Sequence, residues 1–318
     1  MFYNIRNIFS NLGSYFDNIW NKYGYLIFGG FFTVSACVAL FNGQSTTSII
    51  YTLMLALAGF TAKKDLKKDV QAKTFLIWCV PIIAFLFFIQ QYGYTIWGKI
   101  LQWQMTKGLG WNWNETFKNI PFNDASFTRI YQTNWLNAFF TFVYNNGFVV
   151  PVLVPIYRAA LCKDKRKMIR YILSAHVLQI FLISPFYAAI HLQEVWYVLG
   201  NPDRLQRNFT PQQAAGWTLN CFPSMHTSIA FAMFLVVLHE KDKIFKYAWS
   251  FFCLSVVYST MYMEIHWVID VIAGIVLALV TVKLVDLLLK LFDNKVFNKT
   301  HKAKVKYLYC NPEEKIKF

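Results

Sequence analysis

The chain has 318 residues, of which 56% are hydrophobic, 19% aromatic and only 15% charged, and its mean hydropathy is positive. That is more apolar surface than a soluble domain of this length can bury, so a soluble enzyme is excluded and a polytopic membrane protein is expected. The net charge of +15 does not indicate a nucleic-acid partner, because such a surface clusters basic groups with exposed aromatics on one face, whereas here the cations are parcelled into alternate connections.

In chain order, residues 2–20 place Phe2, Ile5, Ile8, Phe9, Leu12, Phe16 and Ile19 at helical spacing among Asn, Ser and Arg. An amphipathic segment over 1–22 lying in the membrane interface fits this pattern, and a frayed terminus fits it too. A bilayer-crossing helix needs about 20 apolar residues. Windows near that length predict about eight spans, at 23–42, 46–62, 75–97, 135–157, 171–192, 223–239, 247–264 and 267–289. The first follows about 22 residues without a small-residue cleavage pattern, so a retained span is expected in place of a signal peptide. The expectation is an all-α polytopic membrane helix bundle, with one transmembrane domain over 23–292 and a basic tail over 293–318.

Between the second and third spans lie Lys63, Lys64, Lys67, Lys68 and Lys73; between the fourth and fifth lie Lys163, Lys165, Arg166, Lys167 and Arg170. Lys241, Lys243 and Lys246 follow the sixth, and the tail from Lys290 to Lys317 is again Lys-rich. This is the positive-inside pattern, which assigns these connections and both termini to the cytoplasm; attraction to anionic headgroups is reason enough for their charge. The intervening connections then face outward. One, 98–134, carries Trp103, Trp111 and Trp113 after Trp97, suited to an interfacial platform or lid. The other, 193–222, has Arg204 and Arg207 as its only cations. Guanidinium forks match phosphate oxygens, and solvated loop arginines are the plainer alternative. Cys37, Cys79, Cys162, Cys221, Cys253 and Cys310 are scattered without ligand spacing and read as small hydrophobes, with no disulfide framework.

Two short stretches concentrate the chemistry. Pro223-Ser224-Met225-His226 opens one apolar span, and His266-Trp267-Val268-Ile269-Asp270 opens another forty residues on. Crossing a membrane and returning takes about forty residues, so both histidines are expected at one face. On a helix, residues four apart share a face, which brings the Asp270 carboxylate to the His266 ring. A carboxylate on one ring nitrogen fixes the tautomer and makes the other a better base or nucleophile. With His226 as a second imidazole, one ring can attack while the other, protonated, donates to the leaving oxygen; phosphoryl transfer without a metal needs that division of labour. No metal or organic cofactor is expected, since neither the histidine spacing nor a carboxylate cluster offers a ligand set. His176 and His191 could line the cavity, although hydrogen bonding to a neighbouring helix is favoured. Asn145 and Asn146 beside Gly147 are expected to make contacts between helices, with headgroup contact as the alternative. Glu264 faces either an acceptor hydroxyl or the interface, and His239, at the far end of its span, is expected to be inert.

These residues resemble the type 2 phosphatidic acid phosphatase superfamily of membrane lipid phosphatases and phosphotransferases. Its second motif, Pro-Ser-x-His, is matched in full by Pro223 to His226. Its third is Ser-Arg, five residues, His, three residues, Asp. Ser259, His266 and Asp270 match at that spacing, with Thr260 where Arg is usual. The first motif, a Lys followed after six residues by Arg-Pro, is not recognisable. The same departure, with Ser259-Thr260-Met261-Tyr262, the run from His266 to Gly274 and the Phe222 lead-in, is similar to the inositol phosphorylceramide synthase group, and more distantly to sphingomyelin synthases. The resemblance covers about 216–275 at motif level and implies a six-helix core whose motif part lies within about 171–290.

What it implies is His266 as a nucleophile forming a phosphohistidine, Asp270 as its orienting partner, and His226 as general acid and later base. Ser224 would hold a phosphate oxygen, and Ser259 and Tyr262 are further candidate substrate contacts. Arg204 and Arg207 are assigned to oxyanion stabilisation from this chain alone. A phosphomonoester carries close to two negative charges and a phosphodiester one, so a site without the usual cations suits headgroup exchange. The expected activity moves a phosphorylated headgroup, such as inositol phosphate, from a phospholipid to a lipid hydroxyl such as ceramide or diacylglycerol. A lipid phosphate or polyprenyl pyrophosphate phosphatase is the alternative among enzymes, and a non-catalytic transporter or scaffold the alternative outside them. The expected partners are lipid substrates and the membrane, with no nucleic acid.

Overall fold

The computed structural model describes residues 2–107, 110–219 and 221–310, and gives no side-chain detail for 2–12, for several positions between 86 and 107, or beyond 293. Most of the apolar face expected for 1–22, the Trp97 ring and the charges of the tail therefore fall outside the described residues. The described residues are mostly helical: α1 (Phe2–Phe41), α2 (Thr46–Phe60), α3 (Ala72–Lys107), α4 (Asn114–Lys118), α5 (Asn134–Asn145), α6 (Val150–Leu161), α7 (Lys165–Ile172) and, after a π turn at Leu173–Val177, α8 (Leu178–Ala189). The short α9 (Val195–Leu199) and α10 (Pro211–Trp217) lead to α11 (Met225–Val237), α12 (Lys243–Tyr262) and α13 (Val268–Cys310). One small parallel pairing, β1 (Trp111–Asn112) on β2 (Ile190–His191), ties the 110–133 segment to the end of α8.

Among the described residues, Gly13–Phe41, Lys165–Ala189 and Val268–Asp293 are each long and apolar enough to cross a bilayer, and α5 with α6 makes a fourth such span if the bent pair is counted as one. The composition and these helices agree on an all-α integral membrane protein. The expected span over 135–157 is not straight: α5 and α6 meet at 63°. Asn145-Asn146-Gly147 ends the first helix, and Pro151, whose missing N–H costs nothing in a first turn, starts the second.

At the centre stands α11, apolar on every side, as a helix buried all round must be. Ile229, Ala230, Met233, Val236 and Val237 are fully or almost fully buried as it packs against α12, α13, α6 and the π turn. Its entry is set by a close crossing. A Cβ on Gly274 of α13 would stand 2.7 Å from the Ser224 carbonyl oxygen and 3.1 Å from Thr227 Cβ. Gly274→Ala is therefore expected to cost about 1–3 kcal/mol of stability through overpacking, read as a lower thermal midpoint in detergent. Gly30→Ala, inside α1 and where an added Cβ meets nothing within 4 Å, should not lower it.

The basic connections meet at one end of the bundle around a fully buried Arg158. Its guanidinium donates to Asp65 Oδ2 at 2.8 Å, to the Thr61 carbonyl at 2.7 Å and to Glu240. Lys167 reaches Glu240 Oε2 at 2.9 Å and Asp65 Oδ1 at 3.2 Å, and the Tyr171 hydroxyl donates to Glu240. The backbone N–H groups of Lys241 and Asp242 donate to Asp65 as well. Burial opposes ionisation of Asp65, but the hydrogen bond and charge of Arg158, with Lys167, more than offset it and hold the carboxyl well below the usual range.

Candidate active site

At the other end, the Ser224 hydroxyl caps α11, accepting from the Thr227 N–H at 3.3 Å and donating to Thr227 Oγ1 at 2.9 Å. The Ser224 N–H in turn donates to the Asp270 carbonyl at 3.2 Å, joining the starts of α11 and α13. Tyr187 on α8 steadies the approach, its hydroxyl donating to the Pro223 carbonyl at 3.1 Å. This arrangement fixes His226 in the first turn of α11, 8% exposed.

The His226 ring is flanked by two aromatic rings that the sequence reading missed. Tyr144 stacks on it with centroids 4.3 Å apart, and Phe148 lies at 3.6 Å. Both come from the α5–α6 break, which is thus the seat of His226. Gly147 lies between them, and a Cβ there would stand 2.8 Å from Val256 Cγ1 and 3.1 Å from His226 Cδ2. An Asn-Asn-Gly run followed by Pro151 inside an apolar window was the signal available for this break.

His266 is delivered by the turn that ends α12. The N–H groups of Ile265 and His266 both donate to the Thr260 carbonyl, at 3.1 and 3.0 Å, with Glu264 in the left-handed region at φ 58°. His266 Nδ1 then lies 3.3 Å from Asp270 Oδ2, which also accepts from the Trp267 N–H at 3.0 Å. The carboxylate fixes Nδ1 as the protonated nitrogen and leaves Nε2 with its lone pair free to react. The two histidine rings stand 6.2 Å apart at 62°, both deeply buried.

The other expected contacts are distributed as follows. Ser259 Oγ donates to the Val256 carbonyl of its own helix at 2.7 Å, and Thr260 Oγ1 likewise to Val257. Tyr262 donates to Asn137 Oδ1 at 2.6 Å. Arg207 is held by Asp203 Oδ2 at 2.7 Å and by Glu194, with Nη1 3.0 Å from Oε1. Arg204 Nε lies 2.6 Å from Glu264 Oε1, which also meets Arg129 Nε at 3.2 Å. Glu194, Glu264 and Arg129 thus neutralise or join the cations at this end; of the three, the sequence reading weighed Glu264 alone. His191 lies in β2, His176 in the π turn, and His239 at the far end of α11, against the Leu235 carbonyl.

The 193–222 connection is stitched over the site by the N–H groups of Val195 and Trp196, which donate to the carbonyls of Ile265 and Glu264. Burial works to raise the Asp203 carboxyl, but hydrogen bonds from Arg207 and the backbone outweigh it and pull it below its usual 3.8. A depressed carboxyl contributes stability that is complete above the unfolded value and lost as pH falls through the folded one. Hydrogen-exchange protection across 201–208, corrected for the intrinsic pH dependence of amide exchange, is expected to be flat from neutral pH down to about 4 and to fall below it, and Asp203→Asn should remove that acid step.

A cavity of about 820 Å³ opens beside the site, lined by polar groups that include Thr47, Asn137, Asn145, Asn146 and Arg204. An apolar groove of about 690 Å³ runs between α5 and α12 as far as Tyr262. The two adjoin at the Tyr262–Asn137 hydrogen bond, the boundary an amphiphile would straddle. Cys221, His266 and Asp270 bring one donor atom each to within 4.8 Å of one another.

A histidine hydrogen-bonded to a buried carboxylate, with a second imidazole across a narrow gap, sits inside a segment that a family model recognises. Residues 171–291 match the PAP2 superfamily. The PAP2 domain runs from α7 to α13 and so contains His226, His266, Asp270 and the 193–222 connection. It supports phosphatase or phosphotransferase activity on lipid phosphates. No curated protein and no solved structure matches the chain. Tyr144 and Phe148 lie before the PAP2 domain, in a segment the family model does not reach.

Proposed function

We propose that the protein is a membrane lipid phosphotransferase of the inositol phosphorylceramide synthase-like branch, moving a phosphorylated headgroup from a phospholipid to a lipid hydroxyl through a phosphohistidine. The His266–Asp270 hydrogen bond facing the His226 ring carries this reading. In the first step His266 Nε2 attacks phosphorus, the bond to the diacylglycerol oxygen breaks, and protonated His226 gives that oxygen its proton. In the second, His226 takes the proton from the acceptor hydroxyl, whose oxygen attacks phosphorus as the phosphorus–nitrogen bond breaks. Asp270 stabilises the charged His266 ring throughout, and Ser224 would hold a phosphate oxygen through its hydroxyl or the local backbone.

Transfer is favoured over hydrolysis by the state of the cations. The guanidinium groups of Arg204 and Arg207 each face carboxylates, so little free positive charge is left for a dianionic monoester. A singly charged diester needs less, and Arg204 and Arg207 remain the candidates for its oxyanion. The amide-lined cavity suits a neutral, hydroxyl-rich headgroup, and Tyr262, which lines the apolar groove, falls on the side where an acceptor would approach, whereas Ser259 is buried with its hydroxyl turned onto its own helix. The reading includes a bundle of about eight spans with a six-helix core, both termini cytoplasmic, and a site opening on the extracytoplasmic face.

The test is purified protein in detergent given mixed phospholipids, with and without ceramide or diacylglycerol, products being read by lipid mass spectrometry. A new phosphodiester lipid that requires the acceptor is expected. Release of inorganic phosphate from a lipid phosphomonoester with no acceptor present would replace the transferase by a phosphatase.

A further inference from the structure

Cys221 has no part in the reaction above, yet it stands beside the dyad. The residue is 2% exposed, and among the described residues its Sγ has only the carbonyls of Thr218 and Ile265 as partners, each at 3.7 Å, weak contacts for a weak donor. Sγ, a ring nitrogen of His266 and a carboxylate oxygen of Asp270 lie within 4.8 Å of one another, the one such group among the described residues. A second observation points the same way. Asp270 Oδ2 takes two hydrogen bonds, while Oδ1 is buried with no hydrogen-bond partner, although a buried carboxylate oxygen ordinarily has one.

Thiolate, imidazole and carboxylate together are a donor set for Zn²⁺, and a poor one for Mg²⁺ or Ca²⁺, which take oxygen ligands. With bonds of about 2.0–2.3 Å, the donor atoms of a tetrahedral zinc site stand roughly 3.3–3.8 Å apart. Side-chain shifts of about an ångström would close the present triangle onto a metal, leaving a fourth position open.

We infer that Cys221, His266 and Asp270 form an inhibitory binding site for a soft divalent cation such as Zn²⁺. Binding takes up the thiol as thiolate, with release of its proton, shifts the ring proton of His266 from Nδ1 to Nε2, and replaces the His266–Asp270 hydrogen bond by coordination of Nδ1 and the carboxylate to the metal. The nucleophile then carries a cation on its ring and loses its orienting carboxylate, so turnover stops until the metal is removed. The site depends on the geometry of these three side chains and not on which lipid reaction they perform.

The experiment is a titration of the purified full chain in detergent with Zn²⁺ against a chromogenic chelator, with no substrate present. Wild type is expected to take up a single equivalent. Cys221→Ser and Asp270→Asn should weaken it on the order of a hundredfold, while Cys253→Ser, a buried thiol in the middle of α12, should leave it unchanged. Co²⁺ in place of Zn²⁺ should give a thiolate-to-cobalt charge-transfer band that Cys221→Ser removes. In a turnover assay Zn²⁺ should inhibit wild type, reversibly with chelator, and fail to inhibit Cys221→Ser at the same concentration. An absent cobalt band in wild type, or Zn²⁺ affinity unmoved by Cys221→Ser, would overturn the site whatever the lipid chemistry proves to be.

Discussion

Replacing His266 by alanine is expected to lower turnover by roughly three orders of magnitude or more, with the protein still folded and extractable. Among the described residues the ring is the one imidazole whose second nitrogen is fixed by a buried carboxylate, so its loss removes the atom that would carry the phosphoryl group. Asp270→Asn should come close to it, at about 10²–10⁴-fold, because an amide can present its NH₂ to Nδ1 and stabilise the wrong tautomer. His226→Ala should differ in kind. The proposed nucleophile, His266, survives, so the penalty should shrink for a donor whose leaving group needs no proton. Rates measured with a phospholipid and with a nitrophenyl phosphodiester, side by side for the three variants, check this. Equal losses on both donors in His226→Ala would remove it as the general acid.

The second large effect lies at the opposite end and concerns stability. Arg158→Met removes the one group that meets Asp65 and Glu240 together with Thr61. Two carboxylates, 5% and 1% exposed, are then left with Lys167 as their main cation. Breaking a buried ion network by deleting one partner costs about 3–5 kcal/mol, so a large fall in the thermal midpoint in detergent is expected. Arg166→Ala is the contrast. Its ion pair with Asp293 is half exposed, where such pairs contribute about 0–1 kcal/mol. A midpoint for Arg158→Met within the range of Arg166→Ala would show the cluster to be dispensable.

The legible part of the site was the part encoded by spacing along the chain. His266 and Asp270 are four apart, a separation that the turn leading into α13 keeps within hydrogen-bonding reach although the helix itself starts only at Val268, and His226 stands opposite them at the start of α11, forty residues back. The helical membrane class followed from composition. What could not be read depends on residues far apart in the chain. Tyr144 and Phe148 reach His226 through a bend whose local signals, Asn-Asn-Gly and Pro151, were outweighed by the apolar window around them. The pairing of Arg204 with Glu264 and of Arg207 with Glu194 is tertiary. Without it, both arginines look like open phosphate ligands. Ser259 and Thr260 carry the motif spacing, yet their hydroxyls turn back onto their own helix, which spacing alone does not disclose.

The bent junction between α5 and α6 also sets the limits of transplantation. The recognised PAP2 segment begins at Tyr171, but both aromatic rings that flank His226, its proposed general acid, are supplied upstream, by Tyr144 and Phe148. The segment is therefore not a portable cassette. A chimera that exchanges residues 171–291 alone would inherit every motif residue and leave His226 without its seat, whereas one that also carries 134–161 would move the histidine together with its cradle. In lineages that share the motifs, the upstream bend and the His226 position should drift as a pair.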